Sequence, residues 1–295
     1  MIFKLKRFFL FAALSLACLL TLSSCYGAWN FWDPGNDVDK RTQKLTRLTA
    51  QNDSDFAAAG ISELKGKYTI LVISDAHFGN KKKDINTKAL YAFLDKLKKE
   101  SPEKYPKFML SLGDSVDIGF SEFFEKYKSF CDTLETDYGI SLIFNACGNH
   151  DIYQNNWENW EKTCYPHTSF YKFKTDKISW YCLDTASGAL GLNQYKILKQ
   201  DIENDSRPKI IFTHYPFVRF NFNCSNMAET TERNLMISTF YKNKVICLLG
   251  GHNHTRTFDD LGFPDYGIPS FGYDQEWGLL FVDEDAGRAS LEYYK

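Results

Sequence analysis

Five apolar runs along this chain each end in a short polar motif, and that order restricts the fold more than any other feature. Residues 68–74 lead into Asp75-Ala76-His77, and 108–112 into Gly113-Asp114-Ser115-Val116-Asp117. Residues 142–147 lead into Gly148-Asn149-His150-Asp151, 209–213 into His214, and 245–250 into Gly251-His252-Asn253-His254. Short continuous apolar runs bounded by turn residues read as buried strands. Between them, residues 85–99, 120–134, 192–202 and 230–241 carry apolar side chains at helical spacing. Such alternation predicts an α/β fold, with helices covering largely parallel strands. Residues 169–174 and 178–184 read as neighbouring strands joined by Thr175-Asp176-Lys177, and 277–283 and 288–294 as closing strands. No internal repeat or second hydrophobic block calls for another domain.

Every motif follows the C-terminal end of a predicted strand. Loops at that edge of an α/β sheet build ligand sites, so residues from Asp75 to His254 would meet in one cleft. The motifs hold five of the six histidines, each near Asp, Asn or Gly. Imidazole is the commonest metal ligand, and imidazole with carboxylate suits Mn, Fe, Zn or Co. Each motif alone is an ordinary turn or cap sequence. All five in order, each at a strand end, predict a metal site, with the spacing favouring two ions that share a carboxylate.

The set D-x-H, G-D-x-x-D, G-N-H-D, H and G-H-x-H resembles the calcineurin-like metallophosphoesterase family over residues 67–295. The resemblance implies a four-layer α/β/β/α sandwich with a dinuclear centre at the strand C-terminal edge. It implies one metal held by Asp75, His77, Asp114 and His254, and another by Asn149, His214, His252 and the bridging Asp114. Paired cations about 4 Å apart activate water and clamp phosphate oxygens. His150 would donate a proton to the leaving group or stabilise the phosphoryl charge. Asp117 would orient His150 by a carboxylate–imidazole hydrogen bond, and Asp151 would support the loop or cap a turn. The implied activity is hydrolysis of phosphate mono- or diesters. Two alternatives are a phosphodiesterase specific for nucleotides or lipid headgroups, and a non-catalytic surface-binding lipoprotein on the same fold.

Departures narrow the subclass. Purple acid phosphatases resemble this pattern but carry Gly at the position of His77 and Tyr at that of Asp117. Protein Ser/Thr phosphatases carry Arg-Gly where Ile118-Gly119 stands here. The sequence closes soon after its last strand, so the C-terminal clamp of 5′-nucleotidases is not expected.

The N-terminus reads as an export signal. Lys4, Lys6 and Arg7 precede an apolar stretch from residue 8 to 22, which is shorter than a membrane span. Leu22-Ser23-Ser24-Cys25 resembles a lipobox, with Cys25 as the lipidated mature N-terminus. This predicts a signal peptide over 1–24, a tether with a possible short helix (residues 37–48) over 25–66, and the catalytic domain over 67–295. Lipid at Cys25 would anchor the protein to the cell envelope, on the periplasmic or outer-membrane side. A net charge of −2 gives no basic signature for nucleic acid. Cys147, Cys182 and Cys247 fall in strand runs and are expected as buried thiols. Cys131, Cys164 and Cys224 lie in more polar stretches and are the expected disulfide partners. Candidate substrate contacts are Arg219 and Arg256, as phosphate grips, and Trp157 and Trp160, as stacking surfaces. His167 belongs to no motif and is expected to pack or cap.

Overall fold

The computed structural model describes residues 37–81, 85, 87–218, 227 and 230–295. The expected signal peptide, Cys25, Arg219 and Cys224 lie outside those residues. In chain order the described elements begin with helix α1 (Val38–Arg41), strand β1 (Thr46–Arg47), α2 (Ser54–Ala58), β2 (Lys67–Ile73), α3 (Thr87–Glu100) and β3 (Pro106–Ser111). Next come α4 (Ser121–Thr136), β4 (Ile143–Asn145), α5 (Trp157–Thr163), β5 (Tyr171–Lys174), β6 (Ser179–Leu183), α6 (Leu192–Asn204) and β7 (Lys209–Thr213). The last are α7 (Thr230–Lys242), β8 (Val245–Gly250), β9 (Thr257–Asp260), β10 (Pro264–Gly267), α8 (Phe271–Asp274), β11 (Trp277–Asp283) and β12 (Arg288–Tyr294).

Two sheets result. A five-stranded sheet runs β12-β11-β2-β3-β4, and a seven-stranded sheet runs β1-β5-β6-β7-β8-β10-β9. The strands that carry the motifs pair in parallel, β2 with β3 with β4, and β7 with β8. Side chains alternate across a strand, and β2 divides accordingly. Ile70 and Val72 enter the core between the sheets, with Phe108, Phe144, Phe173 and Trp180. Leu71 and Ile73 point the other way, against Leu90 and Leu94 of α3 and Phe124 of α4. On the far side, Tyr181, Ile211 and Leu248 pack against Leu198 of α6 and Met236 and Phe240 of α7. The order is helices, sheet, sheet, helices, as the resemblance implied. Among the described residues, no helix is long and apolar enough to cross a membrane.

Residues 37–63 depart from the tether expected over 25–66. The expected helix over 37–48 is one turn, ended at Thr42, followed by β1, which pairs in parallel with β5. Val38, Leu45, Leu48, Phe56 and Ile61 are buried, and Phe56 meets Phe144 and Phe173 edge-on. Arg41 forms a buried ion pair with Asp184 at 2.7 Å. Cys131 and Cys164, expected among the disulfide partners, are also corrected: both are free thiols. Cys147, Cys182 and Cys247 are buried and free, as expected. The antiparallel β9–β10 hairpin was not foreseen.

Candidate metal centre

Both sheets deliver their motif loops to one edge. Asp75 and His77 follow β2, Asp114 and Asp117 follow β3, and Asn149 and His150 follow β4. His214 follows β7, and His252 and His254 follow β8. Main-chain bonds continue the pairing beyond the strands: Asp75 N donates to Gly113 O, His77 N to Asp114 O and Gly251 N to His214 O. The loops touch so closely that glycine is needed at the contacts. A Cβ at Gly148 would lie 2.1 Å from Asp114 N, and one at Gly251 would lie 2.0 Å from Ser74 Oγ. Asp75, His77, Asp114, His252 and His254 all adopt left-handed backbone, with φ between 50° and 67°. That conformation is uncommon outside glycine and concentrates at functional sites.

Among the described residues three groups of ligand-type side chains result: Asp75/His77/His254, Asp114/His214/His252, and His77/Asp117/His150, which shares His77 with the first. In the first, the Nε2 atoms of His77 and His254 face each other at 3.3 Å. Asp75 Oδ1 lies 3.1 Å from His254 Nε2 and 4.0 Å from His77 Nε2. This oxygen is buried and accepts no hydrogen bond. Its partner, Asp75 Oδ2, accepts from the main-chain N–H of His252 at 3.0 Å. In the second triad, His214 Nδ1 donates to Leu112 O at 2.8 Å, which aims Nε2 at Asn149 Oδ1 (3.0 Å) and Asp114 Oδ2 (3.3 Å). The amide of Asn149 donates to Tyr153 Oη at 2.6 Å, so its oxygen faces the cluster. Facing imidazole nitrogens and an orphaned buried carboxylate oxygen are costly unless a cation lies among them. The residues therefore fit a dinuclear centre.

Electrostatics reflect the packing. Burial disfavours the imidazolium of His214, but the carboxylate of Asp114 outweighs it and raises the group to about 9. Burial likewise opposes a charged His254, and the adjacent Asp75 carboxylate overcomes it, raising the group. For His77 burial wins and lowers the group despite Asp114 and Asp75. Burial would raise Asp114, but the surrounding imidazoles, His214 foremost, hold it well below the usual carboxylate range.

His150 belongs to the third group, its ring 4.8 Å from that of His77. Its main-chain N–H donates to Asp114 Oδ1 at 2.8 Å, and its ring Nδ1 lies 2.7 Å from Asp117 O. A carbonyl accepts only, so Nδ1 carries the hydrogen there. The expected carboxylate–imidazole bond between Asp117 and His150 is thus corrected. The main chain of Asp117 holds His150, while its Oδ1 lies 3.6 Å from His77 Nδ1 and accepts from Asn80 Nδ2 at 2.9 Å. Asp151 is buried and accepts main-chain N–H bonds from Gly148 (2.8 Å) and Val116 (3.1 Å). It braces two motif loops, and burial with the nearby Asp114 charge raises it to about 8.

The expected substrate contacts fare less well. Trp160 is fully buried in the core beside α4, and Trp157 stacks on it at 5.1 Å with Arg41 over its ring. Both pack, because α5 turns them toward the fold. Arg256 is held by Glu276 at 2.6 Å and lies over the Tyr293 ring, so it does not offer a free phosphate grip. His167 is exposed, with Nδ1 2.8 Å from Glu161 O. The motifs gave no sign of three half-buried tyrosines around the histidines. Tyr153 lies 4.5 Å from His150, Tyr215 stacks on His252 at 3.8 Å, and Tyr273 stacks on His254 at 5.2 Å, ring centre to ring centre. Only the adjacency of Tyr215 to His214 and of Tyr153 to His150 was visible in the sequence.

A four-layer sandwich with paired Asp/His triads at one edge defines a metal-dependent phosphoesterase with a dinuclear centre. The chain belongs to the calcineurin-like phosphoesterase family, whose model matches residues 68–256. Its fold is similar to a dimetal phosphatase from Danio rerio (TM-score 0.53, 13% identity, 77% of this chain and 99% of that one). It is also similar to GAP50 of Plasmodium (TM-score 0.51, 11% identity, 78% and 89%). A 5′-nucleotidase from Candida albicans aligns over 79% of this chain and 52% of its own, with a TM-score of 0.50 and 12% identity. At these identities the likeness is one of fold. No curated protein sequence matches the chain significantly.

Proposed function

We propose that the protein hydrolyses phosphate mono- or diesters outside the cytoplasm, anchored to the cell envelope by lipid at Cys25. The observation that carries the catalytic part is the juxtaposition of Asp75/His77/His254 with Asp114/His214/His252, drawn from two different sheets. In this reading Asp75, His77 and His254 hold one cation, and His214, His252 and Asn149 hold the other. Asp114 would serve both. Two divalent cations, when bound, make water nucleophilic near neutral pH and neutralise phosphoryl charge. His150 supplies the remaining chemistry. Its Nδ1–H is tied to Asp117 O, so Nε2 is free to stabilise the phosphoryl group or, once protonated, to protonate the leaving oxygen. Asp151 keeps the loops after β3 and β4 in register through its two main-chain bonds.

Tyr153 favours nucleotides among possible substrates. Its ring lies 4.5 Å from that of His150, and a phenol ring there can stack on a base. Hydrolysis of p-nitrophenyl phosphate against bis-p-nitrophenyl phosphate with Mn²⁺, followed by a nucleotide and headgroup panel, tests the reading. Metal content is measured in parallel. Two metals per chain with no hydrolysis of any ester would overturn it. The envelope location rests on Lys4, Lys6, Arg7 and the sequence ending in Cys25. Partition into the aqueous detergent phase, with no lipid on the mature chain by mass spectrometry, would sink that part.

A further inference from the structure

We infer that Asp117 is a positioning residue for His77, and that Asn80 and Tyr273 hold it in that role. The inference rests on the dinuclear reading and assigns to this chain a support for the Asp75/His77/His254 half of the centre.

His77 Nδ1 is buried and has no hydrogen-bond partner. It faces Asp117 Oδ1 at 3.6 Å, while Nε2 turns toward Asp75 and His254. A metal-binding imidazole commonly presents its second nitrogen to a carboxylate, which fixes the ring and raises ligand basicity. The carboxylate is itself fixed. Asn80 Nδ2 donates to Asp117 Oδ1 at 2.9 Å and to Tyr273 Oη at 2.6 Å. The Tyr273 ring then covers both imidazoles of this half, 5.2 Å from His77 edge-on and 5.2 Å from His254 in stacked contact.

Tyr273 is placed by main chain that also carries Asp75. Ser270 Oγ donates to Asp75 O at 2.7 Å and accepts from Tyr273 N at 2.9 Å. Gly272 N donates to Asp75 O as well, at 3.1 Å, and a side chain at Gly272 would lie 2.3 Å from Ala76 O. The loop after β10 is therefore bolted to the loop after β2. The other half is supported differently: His214 gives its Nδ1 hydrogen to the neutral carbonyl of Leu112. A carboxylate polarises an imidazole more than a carbonyl does, so the two halves differ in what sets their basicity. Weakening this support should lower affinity at one half alone.

The test is a metal titration of the apo full-length protein with Mn²⁺, by calorimetry and by elemental analysis after dialysis against a weak chelator. Wild type is compared with Asp117→Asn, Asn80→Ala and Tyr273→Phe. Two sites should titrate in wild type. In Asp117→Asn, one site should weaken about 10–100-fold, with the other unchanged. Asn80→Ala should weaken the same site by less, and Tyr273→Phe, which keeps the ring, least. Circular dichroism and melting of the apo forms report folding, and Tyr273→Phe serves should Asp117→Asn fail to fold. Two sites in wild type with no selective loss in these variants would overturn the inference and leave the dinuclear reading intact. Fewer than two sites in wild type would overturn both.

Discussion

Gly148→Ala tests whether the loops after β3 and β4 must touch for the centre to form. A Cβ at residue 148 would sit 2.1 Å from Asp114 N, 2.2 Å from Asp114 Oδ1 and 2.9 Å from its Cγ. Non-bonded heavy atoms rest at roughly 3.5 Å, so the loops must part by more than about 1 Å. Two of those atoms belong to the carboxylate assigned to bridge the cations, and the third is main chain that cannot swing aside. A displacement near 1 Å costs about 100-fold in rate, or about 2.7 kcal/mol of transition-state stabilisation. Overpacking should also remove about 1–3 kcal/mol of stability. A control separates the two effects. Gly139 has a left-handed φ of 66°, and a Cβ there would meet nothing within 4 Å, so Gly139→Ala should cost about 1–2 kcal/mol from backbone strain alone. Both variants would be reconstituted with Mn²⁺, assayed for metal content and turnover, and melted. Gly139→Ala should melt lower yet hold two metals and full turnover. If Gly148→Ala also held two metals tightly at full turnover, the loop-contact argument would be refuted.

His150→Ala should keep both metals, because the residue belongs to neither Asp75/His77/His254 nor Asp114/His214/His252, although it groups with His77 and Asp117, yet lose about 10²–10⁴ in turnover; unchanged kcat or a lost metal would remove its assigned role. Arg41→Ala should destabilise the fold by about 3–5 kcal/mol in chemical denaturation, since it leaves the buried Asp184 carboxylate without its cation. A loss below about 1 kcal/mol would mean that residues 37–63 contribute little to the domain. Asp205 supplies a pH signature away from the centre. Burial opposes its charge, but the Ser179 hydroxyl, the Arg207 N–H and the Lys172 and Lys209 ammonium groups hold it at about 2. Its folded-state value is depressed, so the stability it contributes is complete above roughly pH 4 and is lost as pH falls toward 2. Asp205→Asn should flatten the acid limb of the stability curve between those values, and an unaltered limb would contradict the assignment.

What the sequence disclosed follows from where the physics is local. Strands β7, β8 and β11 begin and end where their apolar runs do, because burial on both faces leaves a continuous signal. The segment from Val38 to Ile61 gave none. Its five buried apolar side chains follow neither a helical nor a strand period, and their burial depends on partners such as Phe144 and Phe173, which come from distant strands. The same limit applies at the site. His77, Asp114 and His254 were readable because each lies in a motif whose neighbours are also constrained. Tyr273 and Asn80 were not, since a short helix late in the chain has to fold back onto the loop after β2 before they meet. Trp157 and Trp160 misled for the opposite reason: they are close to His150 in sequence, but α5 directs Trp160 into the core and stacks the half-buried Trp157 on it. Asp117 was placed correctly near His150, yet its main chain and its side chain serve different histidines.

The motif residues are legible because they satisfy two demands at once. The chain must turn sharply at each strand end, and five of the candidate ligands do so with positive φ. Asp, Asn and His are the residues other than glycine most often found there, and Asp and His are also the ones that bind hard and borderline cations. Such backbone persists only where surrounding structure over-determines it. Here the restraints are direct: Asp75 N to Gly113 O, His77 N to Asp114 O, and His252 N to Asp75 Oδ2. Each one ties a candidate ligand to another motif's loop, so the ligand set is shaped by the polypeptide itself. A cation entering the cleft therefore meets side chains already converged and need not organise them. Substituting a residue that cannot tolerate left-handed backbone would damage the site even where the new side chain could bind metal.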